Sequence, residues 1–319
     1  MDFGIATVTR GECASREGYI AVAEAAERLG FGFISVNDHV VVPRGIASRY
    51  PYSESGEWAA RTAGECLDQL VTLSFLAART ERLKLLTSVM VVPHRQPVLA
   101  AKMLASIDVL SKGRLIVGCG TGWMKEEFEA LGAAPFAERG RVSDEYLEAF
   151  KALWTHDVPS YRGNHASFGD IIFAPKPHAR PHPPIWIGGE GAAALRRVVR
   201  LGDGWYPASN NPAHRLDTPD RLGAAVGELR RTAEAAGRDP ASIDIGYLVL
   251  WPVEWSAQKT VDGSARRPFT GSPADMAADA AALAKVGVRH VALTFQTATV
   301  TETLARMQRF AEEVMPLAP

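Results

Sequence analysis

The stretch Gly113-Arg-Leu-Ile-Val-Gly-Cys-Gly-Thr-Gly-Trp123 decides between two α/β folds. A short apolar strand runs into a glycine-rich turn, and such turns bind phosphate in nucleotide-binding domains because backbone N–H groups and a helix N-terminus can approach an anion. In those domains the turn follows the first strand, and an acidic residue about 20 residues further on holds a ribose. Here the turn follows the fourth predicted strand, Ile116 stands where methyltransferases usually have an acid, and a helix-like segment comes next. We therefore interpret the turn as a strand-to-helix loop of a barrel.

Strand-like and helix-like segments alternate along the chain. Apolar runs of strand length are predicted at Phe3–Val8, Phe33–Asn37, Leu83–Val92, Arg114–Val117, Ile185–Ile187, Gly204–Tyr206, Ile243–Leu250 and Val288–Phe295. Helical periodicity predicts helices at Arg16–Leu29, Leu67–Ala78, Val98–Leu110, Val142–Trp154, Leu195–Leu201, Asp220–Ala236, Ala274–Val286 and Thr301–Val314. Most strands are apolar on both faces, as parallel strands between a core and a helical shell must be. Because no linker divides the chain, the sequence predicts one (β/α)₈ TIM barrel domain over residues 1–319, rather than a doubly wound sheet with an appended domain.

The composition favours a cytoplasmic protein that acts on a small molecule. Of the 319 residues, 47% are hydrophobic and 22% charged, which describes a globular protein with an ample core. A net charge of -1 argues against a nucleic-acid or membrane surface as the main partner. The three cysteines are scattered without a CxxC pair, which favours reduced thiols, and His178 and His182 lie among prolines and are not expected to bind a metal.

Three long segments interrupt the alternation: Val40–Gly64, Thr155–Pro184 and Trp251–Gly271. Long loops in a compact domain are usually lids or binding loops. All three are expected over the carboxyl-terminal mouth of the barrel, where barrel enzymes place their active sites, although the second joins a helix to a strand and must fold back to reach it. Their aromatic residues, Tyr50, Tyr52, Trp58, Trp251 and Trp255, predict an aromatic, mostly apolar pocket.

Two stretches carry a specific resemblance: HRQPVLAAKMLASIDVLSKGRLIVGCGTGWMKEEFEALG, residues 94–132, and RPHPPIWIGGEGAAALRRVVRLGDGW, residues 180–205. Together with the strand end SVNDH they resemble the bacterial luciferase-like monooxygenase superfamily, most closely its branch of probable deazaflavin (coenzyme F420)-dependent oxidoreductases. The resemblance covers nearly the whole chain in the same order. It implies a TIM barrel that binds F420, with FMN as the alternative, and a homodimer formed through helices near strands two and three.

The resemblance also implies where the cofactor binds. Family members commonly carry a non-prolyl cis peptide in strand three, and Ser88–Val89 occupies the matching place; the alternative is a pair of ordinary strand residues. The implied cofactor-binding residues are Asp38, His39, Ser88, Val89, Gly120, Thr121, Gly122, Gly188, Gly189 and Glu190.

The turn Gly188–Gly191 is predicted to open a helix near Ala192, a geometry that suits a phosphate, although a simple tight turn is the alternative. Because Glu190 would repel a phosphate, Arg141 or another cation is expected beside it.

Asp38 and His39 follow the second strand, where barrel enzymes place catalytic groups. A histidine can give or take a proton beside the cofactor ring, and the adjacent carboxylate is predicted to fix its orientation. The alternative is a capping aspartate and an ordinary loop histidine. Glu127 is most simply part of a solvated helix face; the alternatives are a buried ion network with Arg139 and Arg141 and a catalytic acid.

Three functions remain open. The first is hydride transfer between F420 and an unidentified small organic substrate. The second is an FMN-dependent monooxygenase that uses oxygen, and the third is a flavin-binding barrel without catalysis. Asp38 with His39, the Ser88–Val89 pair and the glycine turn favour an enzyme.

Overall fold

A computed structural model describes residues 1–60 and 66–319 of the chain. Eight strands form the barrel: β1 (Asp2–Thr7), β2 (Phe33–Val36), β3 (Lys84–Thr87), β4 (Leu115–Gly120), β5 (Ile185–Gly188), β6 (Gly204–Tyr206), β7 (Asp244–Pro252) and β8 (His290–Thr294). Each strand pairs in parallel with its neighbours in chain order. The sheet closes because β8 also pairs with β1, with Phe3 beside Val291. The predicted TIM barrel is confirmed.

Helices cover the outside of the barrel. They are α1 (Arg16–Leu29), α2 (Gln69–Ala77), α3 (Pro97–Leu110), α4 (Lys125–Ala130), α5 (Arg139–Thr155), α6 (Ala192–Leu201), α7 (Pro219–Ala235), α8 (Pro273–Val286) and α9 (Val300–Glu313). Local sequence fixes several of their ends: Ser272 and Asp275 form a reciprocal capping box at α8, and Gly30 ends α1 in the left-handed conformation. None of the helices in the described part of the chain has the length and apolarity to cross a bilayer.

The barrel interior is filled by large side chains that face glycines. Phe33, Leu86, Ile116, Trp186, Tyr206 and Ala292 form a buried cluster contributed by six of the strands. A Cβ atom at Gly4 would lie 2.3 Å from the ring of Phe33, so β1 needs a glycine at this level for the ring to fit. The filled interior is a packed core, and any ligand must bind above it, at the mouth where the carboxyl ends of the strands meet.

The predicted strand Leu83–Val92 is broken. β3 ends at Thr87, the Ser88–Val89 peptide bond is cis, and a second short strand, Met90–Val91, pairs with β4. The cis bond that the resemblance implied is therefore present.

The first long segment reaches the mouth as expected. Residues 40–60 fold over it, and the rest of the predicted loop, residues 61–64, lies outside the described residues.

The expectation for Thr155–Pro184 is wrong. This segment folds back along the outside of α5, where the phenol of Tyr161 donates to Glu148 (2.7 Å) and the backbone N–H of His165 donates to Glu145 (2.7 Å). It then crosses to α3, where Ala179 N donates to Asp108 (2.8 Å). The outer carboxylates of these helices hold it away from the mouth.

Trp251 and Trp255 do not join the aromatic residues at the mouth either. The Trp251 indole donates to the carbonyl of Pro268 (2.8 Å), and the Trp255 indole donates to Glu313 of α9 (3.2 Å). Arg309 lies over the Trp255 ring at 4.5 Å from its centroid. The prediction that these two tryptophans line the pocket is therefore wrong, because cationic and acidic residues of α9 engage Trp255 on the outside.

Candidate active site

Asp38 lies at the end of β2 and is held by an arginine. Its carboxylate accepts hydrogen bonds from Val91 N (2.9 Å) and from both Nη atoms of Arg95 (2.8 and 2.9 Å). Arg95 also donates to Asp68 (2.8 Å), the N-cap of α2. Burial alone would lower the pKa of Arg95, but the two carboxylates raise it well above its ordinary value. Asp38 is thus engaged by Arg95, and the prediction that it orients His39 is wrong.

Glu127 takes that role instead. Its Oε2 lies 2.9 Å from His39 Nδ1, and its Oε1 accepts hydrogen bonds from Val40 N (2.7 Å) and Val41 N (3.3 Å). Burial opposes ionisation of Glu127, which is 1% exposed, but the hydrogen bonds from His39 and Val40 keep its pKa below the ordinary value. An ionised carboxylate only accepts hydrogen bonds, so Nδ1 of His39 carries the proton and Nε2 is the nitrogen that can exchange one.

The predicted ion network of Glu127 with Arg139 and Arg141 is wrong. Arg139 donates to the carbonyl of Gly122 (3.2 Å) and its guanidinium lies over the ring of Phe136. Arg141 is exposed and pairs with Glu138 (3.6 Å). Helix α4 turns Glu127 inward to the barrel mouth, whereas both arginines belong to the first turn of α5 on the outside.

Aromatic side chains cover the His39–Glu127 pair. The ring of Trp58 lies 4.5 Å from that of His39, centroid to centroid, and Trp123 contacts Trp58 (5.9 Å) and Tyr50 (5.1 Å) edge-on. Tyr52 packs on Tyr50 at 5.6 Å. Only 8% of the His39 surface is exposed. The prediction that Tyr50, Tyr52 and Trp58 lie together at the mouth is confirmed, with Trp123 added.

The segment that carries these aromatic residues is tied to two other loops. The backbone N–H groups of Ala47 and Ser48 donate to Glu126 (2.8 and 3.0 Å). On the other side, Asn210 donates to the carbonyl of Tyr52 (2.9 Å), and Arg215 pairs with Glu54 (2.8 Å). Loops after β2, β4 and β6 therefore meet above His39 and restrict access of water to it.

The cis peptide lies between glycines of the next two strands. A Cβ atom at Gly120 would lie 2.6 Å from a methyl of Val89, and one at Gly188 would lie 3.1 Å from the other methyl. These glycines therefore make room for Val89, in addition to any contact with a ligand. Ser88 Oγ lies 3.1 Å from the phenol of Tyr206 at the end of β6, a residue that the sequence analysis did not single out.

The second glycine turn opens α6 as predicted. Gly189 has a φ of 97°, which favours glycine, and Gly191 caps the helix without a side-chain hydrogen bond. Thr121 and Gly122 lie in the neighbouring turn after β4, and Gly122 has a φ of 84°.

Glu190 is not paired with Arg141. Its carboxyl group accepts hydrogen bonds from Ala208 N (2.9 Å) and Asn211 Nδ2 (2.7 Å), and Arg141 pairs elsewhere. Burial raises the pKa of Glu190. The expected Glu190–Arg141 pair is wrong, because Arg141 pairs with Glu138 and N–H donors of the loop after β6 bind the carboxyl group of Glu190.

Several buried polar atoms at the mouth have no hydrogen-bond partner within residues 1–60 and 66–319. They are Thr9 Oγ1, Arg10 Nη1, both ring nitrogens of His94, and Asn210 Oδ1. All four residues follow the carboxyl ends of barrel strands. Since buried polar groups are almost always hydrogen-bonded, these atoms fit a site that receives a polar ligand.

Comparisons with known proteins show the family of the chain and support its fold. The luciferase-like monooxygenase family model matches residues 1–314. An uncharacterized protein of Mycobacterium tuberculosis is 36% identical over 224 residues, which are 69% of this chain and 73% of that protein. An FMNH₂-dependent dimethylsulfone monooxygenase of Pseudomonas putida is 38% identical over 198 residues, 60% of this chain and 52% of that enzyme. The structure of an F420-dependent secondary alcohol dehydrogenase superposes with a TM-score of 0.75 at 16% identity and covers 100% of this chain and 99% of that one, which supports the fold.

Proposed function

The chain belongs to the luciferase-like monooxygenase family, and from that premise we propose that it transfers a hydride between coenzyme F420 and a small organic substrate. The observation that carries the proposal is the buried His39–Glu127 hydrogen bond at the end of β2. A deazaflavin supplies hydride chemistry and reacts poorly with oxygen. The protein must then handle the proton that accompanies the hydride.

His39 is suited to that task. Glu127 holds Nδ1 and stabilises the positive charge that appears on the ring when Nε2 takes a proton, and the aromatic residues above restrict water. His39 is therefore the catalytic acid or base of the proposal, and Glu127 is the residue that positions it.

Residues after β3, β4 and β5 would hold the cofactor. Ser88, Val89, Gly120, Thr121 and Gly122 present backbone and hydroxyl groups after β3 and β4. The N-terminus of α6 after Gly188, Gly189 and Glu190 offers N–H groups to the phosphate. The unpartnered polar atoms at the mouth support a ligand in this region.

The proposal is tested by titrating the purified protein with F420 and with FMN and measuring binding by absorbance and fluorescence. We expect F420 to bind more tightly than FMN. Tighter binding of FMN, with oxygen consumption when the flavin is reduced, would instead establish the second candidate, an FMN-dependent monooxygenase. The similarity to the P. putida enzyme favours this second candidate.

We also propose a cytoplasmic homodimer. The outward faces of α2 and α3 are apolar: Val71, Leu99 and Leu110 are 62%, 56% and 66% exposed. Apolar patches of this kind on soluble proteins mark interaction surfaces. A second copy of the chain is the occupant that the family resemblance suggests, and light scattering after size-exclusion chromatography measures the mass directly.

A further inference from the structure

Arg10 follows β1, and one nitrogen of its guanidinium has no hydrogen-bond partner in the described part of the chain. Its Cζ atom lies over the Trp58 ring, 5.0 Å from the centroid. Its Nη1 atom is buried and has no hydrogen-bond partner within residues 1–60 and 66–319. A buried hydrogen-bond donor on a charged group is costly to leave unpaired. We therefore expect this nitrogen to donate to an acceptor on a ligand.

The backbone around Arg10 is fixed in place. Gln296, after β8, accepts a hydrogen bond from Val8 N (3.2 Å) and donates one to the carbonyl of Arg10 (3.0 Å). Thr9 N donates to the side chain of Asn37 (2.7 Å), one residue before Asp38. Side chains that follow the two strands next to β1 thus fix the backbone of Arg10. The guanidinium of Arg10 takes no part in these hydrogen bonds.

Arg10 is separated from His39 by one aromatic ring. Trp58 contacts Arg10 and also lies 4.5 Å from the His39 ring. Burial raises the pKa of Tyr50 to about 12 and the charge of Arg10 opposes that rise, so the guanidinium also lies near this phenol. Thr9, 1% exposed, adds a hydroxyl group without a partner in the described protein.

The carboxylates described beside His39 already have donors. Asp38 is bound by Arg95, Glu127 by His39 and Val40 N, and Glu190 by Ala208 N and Asn211. Each of these groups is used in holding the mouth together. The chemistry that matches Arg10 is therefore an anionic oxygen group brought by a ligand.

We propose that Arg10 anchors the acidic group of the substrate, a small carboxylic acid whose apolar or aromatic body lies against Trp58 and Tyr50. The proposal rests on the proposed function, because it takes His39 as the reacting end of the site. The phosphate of the cofactor is the other possible source of the anion. However, β1 and β5 are four strands apart in a ring of eight, so Arg10 lies across the mouth from the α6 N-terminus.

The test compares benzoate with benzamide, which share a ring and differ in charge, by tryptophan fluorescence titration of the wild-type protein and of Arg10→Gln. Wild type is expected to bind benzoate about 10- to 100-fold more tightly than benzamide, the range for a hydrogen bond to a charged group. Arg10→Gln is expected to remove that preference. Arg44→Gln, which removes an exposed charge from the segment over the mouth, should keep it.

F420 and FMN are titrated on the same proteins. Their dissociation constants should change less than about threefold in Arg10→Gln, since the phosphate is placed elsewhere. If Arg10→Gln fails to fold, Arg10→Met removes the charge and retains the stem that packs on Trp58.

Three results would overturn the proposal: no preference for benzoate in wild type, an unchanged preference in the charge-removal variant, or lost cofactor affinity with the preference intact. The last result would assign Arg10 to the cofactor phosphate. Failure of both cofactors to bind, with a benzoate preference that depends on Arg10, would refute the proposed function and leave the anion site standing.

Discussion

Replacing Glu127 by glutamine is the sharpest test of the proton-handling pair. The carboxylate and the His39 ring are 2.9 Å apart, so a charged ring would be attracted by about 6 kcal/mol at an effective dielectric constant of about 20. Desolvation of Glu127 offsets part of this attraction, and if about half remains, the variant loses about 3 kcal/mol of stabilisation. That loss corresponds to a fall in kcat of about 100-fold.

The variant also changes which nitrogen of His39 carries the proton. Glutamine Oε1 can still accept from Val40 N, and its amide then faces His39 as a donor. Nδ1 must then act as the acceptor, which moves the ring proton to Nε2. The chemical shifts of the ring nitrogens, measured by NMR on ¹⁵N-labelled protein, report this change without any substrate.

Glu129→Gln is the matched control, because Glu129 lies on the same helix but is exposed and pairs with Lys125. We expect it to keep wild-type kcat and ring-nitrogen shifts. Cofactor affinity should change little in either variant, since neither Glu127 nor Glu129 is among the residues proposed to hold the cofactor. If Glu127→Gln retained kcat within about threefold and the wild-type tautomer, Glu127 would not position His39.

Three further outcomes are expected. His39→Ala should lower kcat by about 10²–10⁴-fold while cofactor affinity changes less, and a loss of cofactor binding with normal turnover would make His39 a ring ligand instead. Arg95→Leu leaves Asp38 buried and unpaired, so denaturant unfolding should show a loss of about 3–5 kcal/mol, and an unchanged midpoint would contradict the structural role. Val71→Glu combined with Leu99→Glu should shift the mass measured by light scattering from dimer to monomer, whereas a monomeric wild type would refute the dimer.

The fold was predictable because it depends on local periodicity. Helix α1 and strand β6 have the predicted bounds, and β3 differs because the cis bond breaks the ladder between Thr87 and Met90. Strand-like segments alternate with helix-like segments along the chain, and this alternation is enough to predict a barrel. Each strand or helix can be recognised from the spacing of its own apolar residues.

The pairings at the site were harder to predict because they join residues far apart in the chain. His39 and Glu127 are separated by 88 positions, and the adjacent Asp38 was the simpler choice for an orienting carboxylate. A signal was present nonetheless. Met124, Glu127, Phe128 and Leu131 follow the i, i+3, i+4, i+7 spacing of a buried helix face, so Glu127 occupies an inward position where an apolar residue would be expected. A carboxylate on that face must find a donor, and His39 provides it.

A second histidine–carboxylate cluster shows what separates a reactive ring from a structural one. At the closed end of the barrel His290 contacts Asp2 through Nδ1 (3.0 Å) and Asp244 through Nε2 (2.9 Å), joining the first residues of β1, β7 and β8. Burial alone would lower the pKa of His290, but the two carboxylates raise it. While Asp2 and Asp244 stay ionised, the stability that protonated His290 provides is full below about pH 6.5 and is lost as the pH rises through the raised pKa of the folded state.

Both nitrogens of His290 are thus committed to holding three strands together, and neither can serve a substrate. At the mouth, Glu127 holds only Nδ1 of His39 and no protein group holds Nε2 in the described part of the chain. The same pair of residue types is structural where carboxylates bind both sides of the ring. It is suited to proton transfer where a carboxylate binds one side only, as at His39 beside the ring of Trp58, which is why the proposed chemistry is assigned to His39 and not to His290.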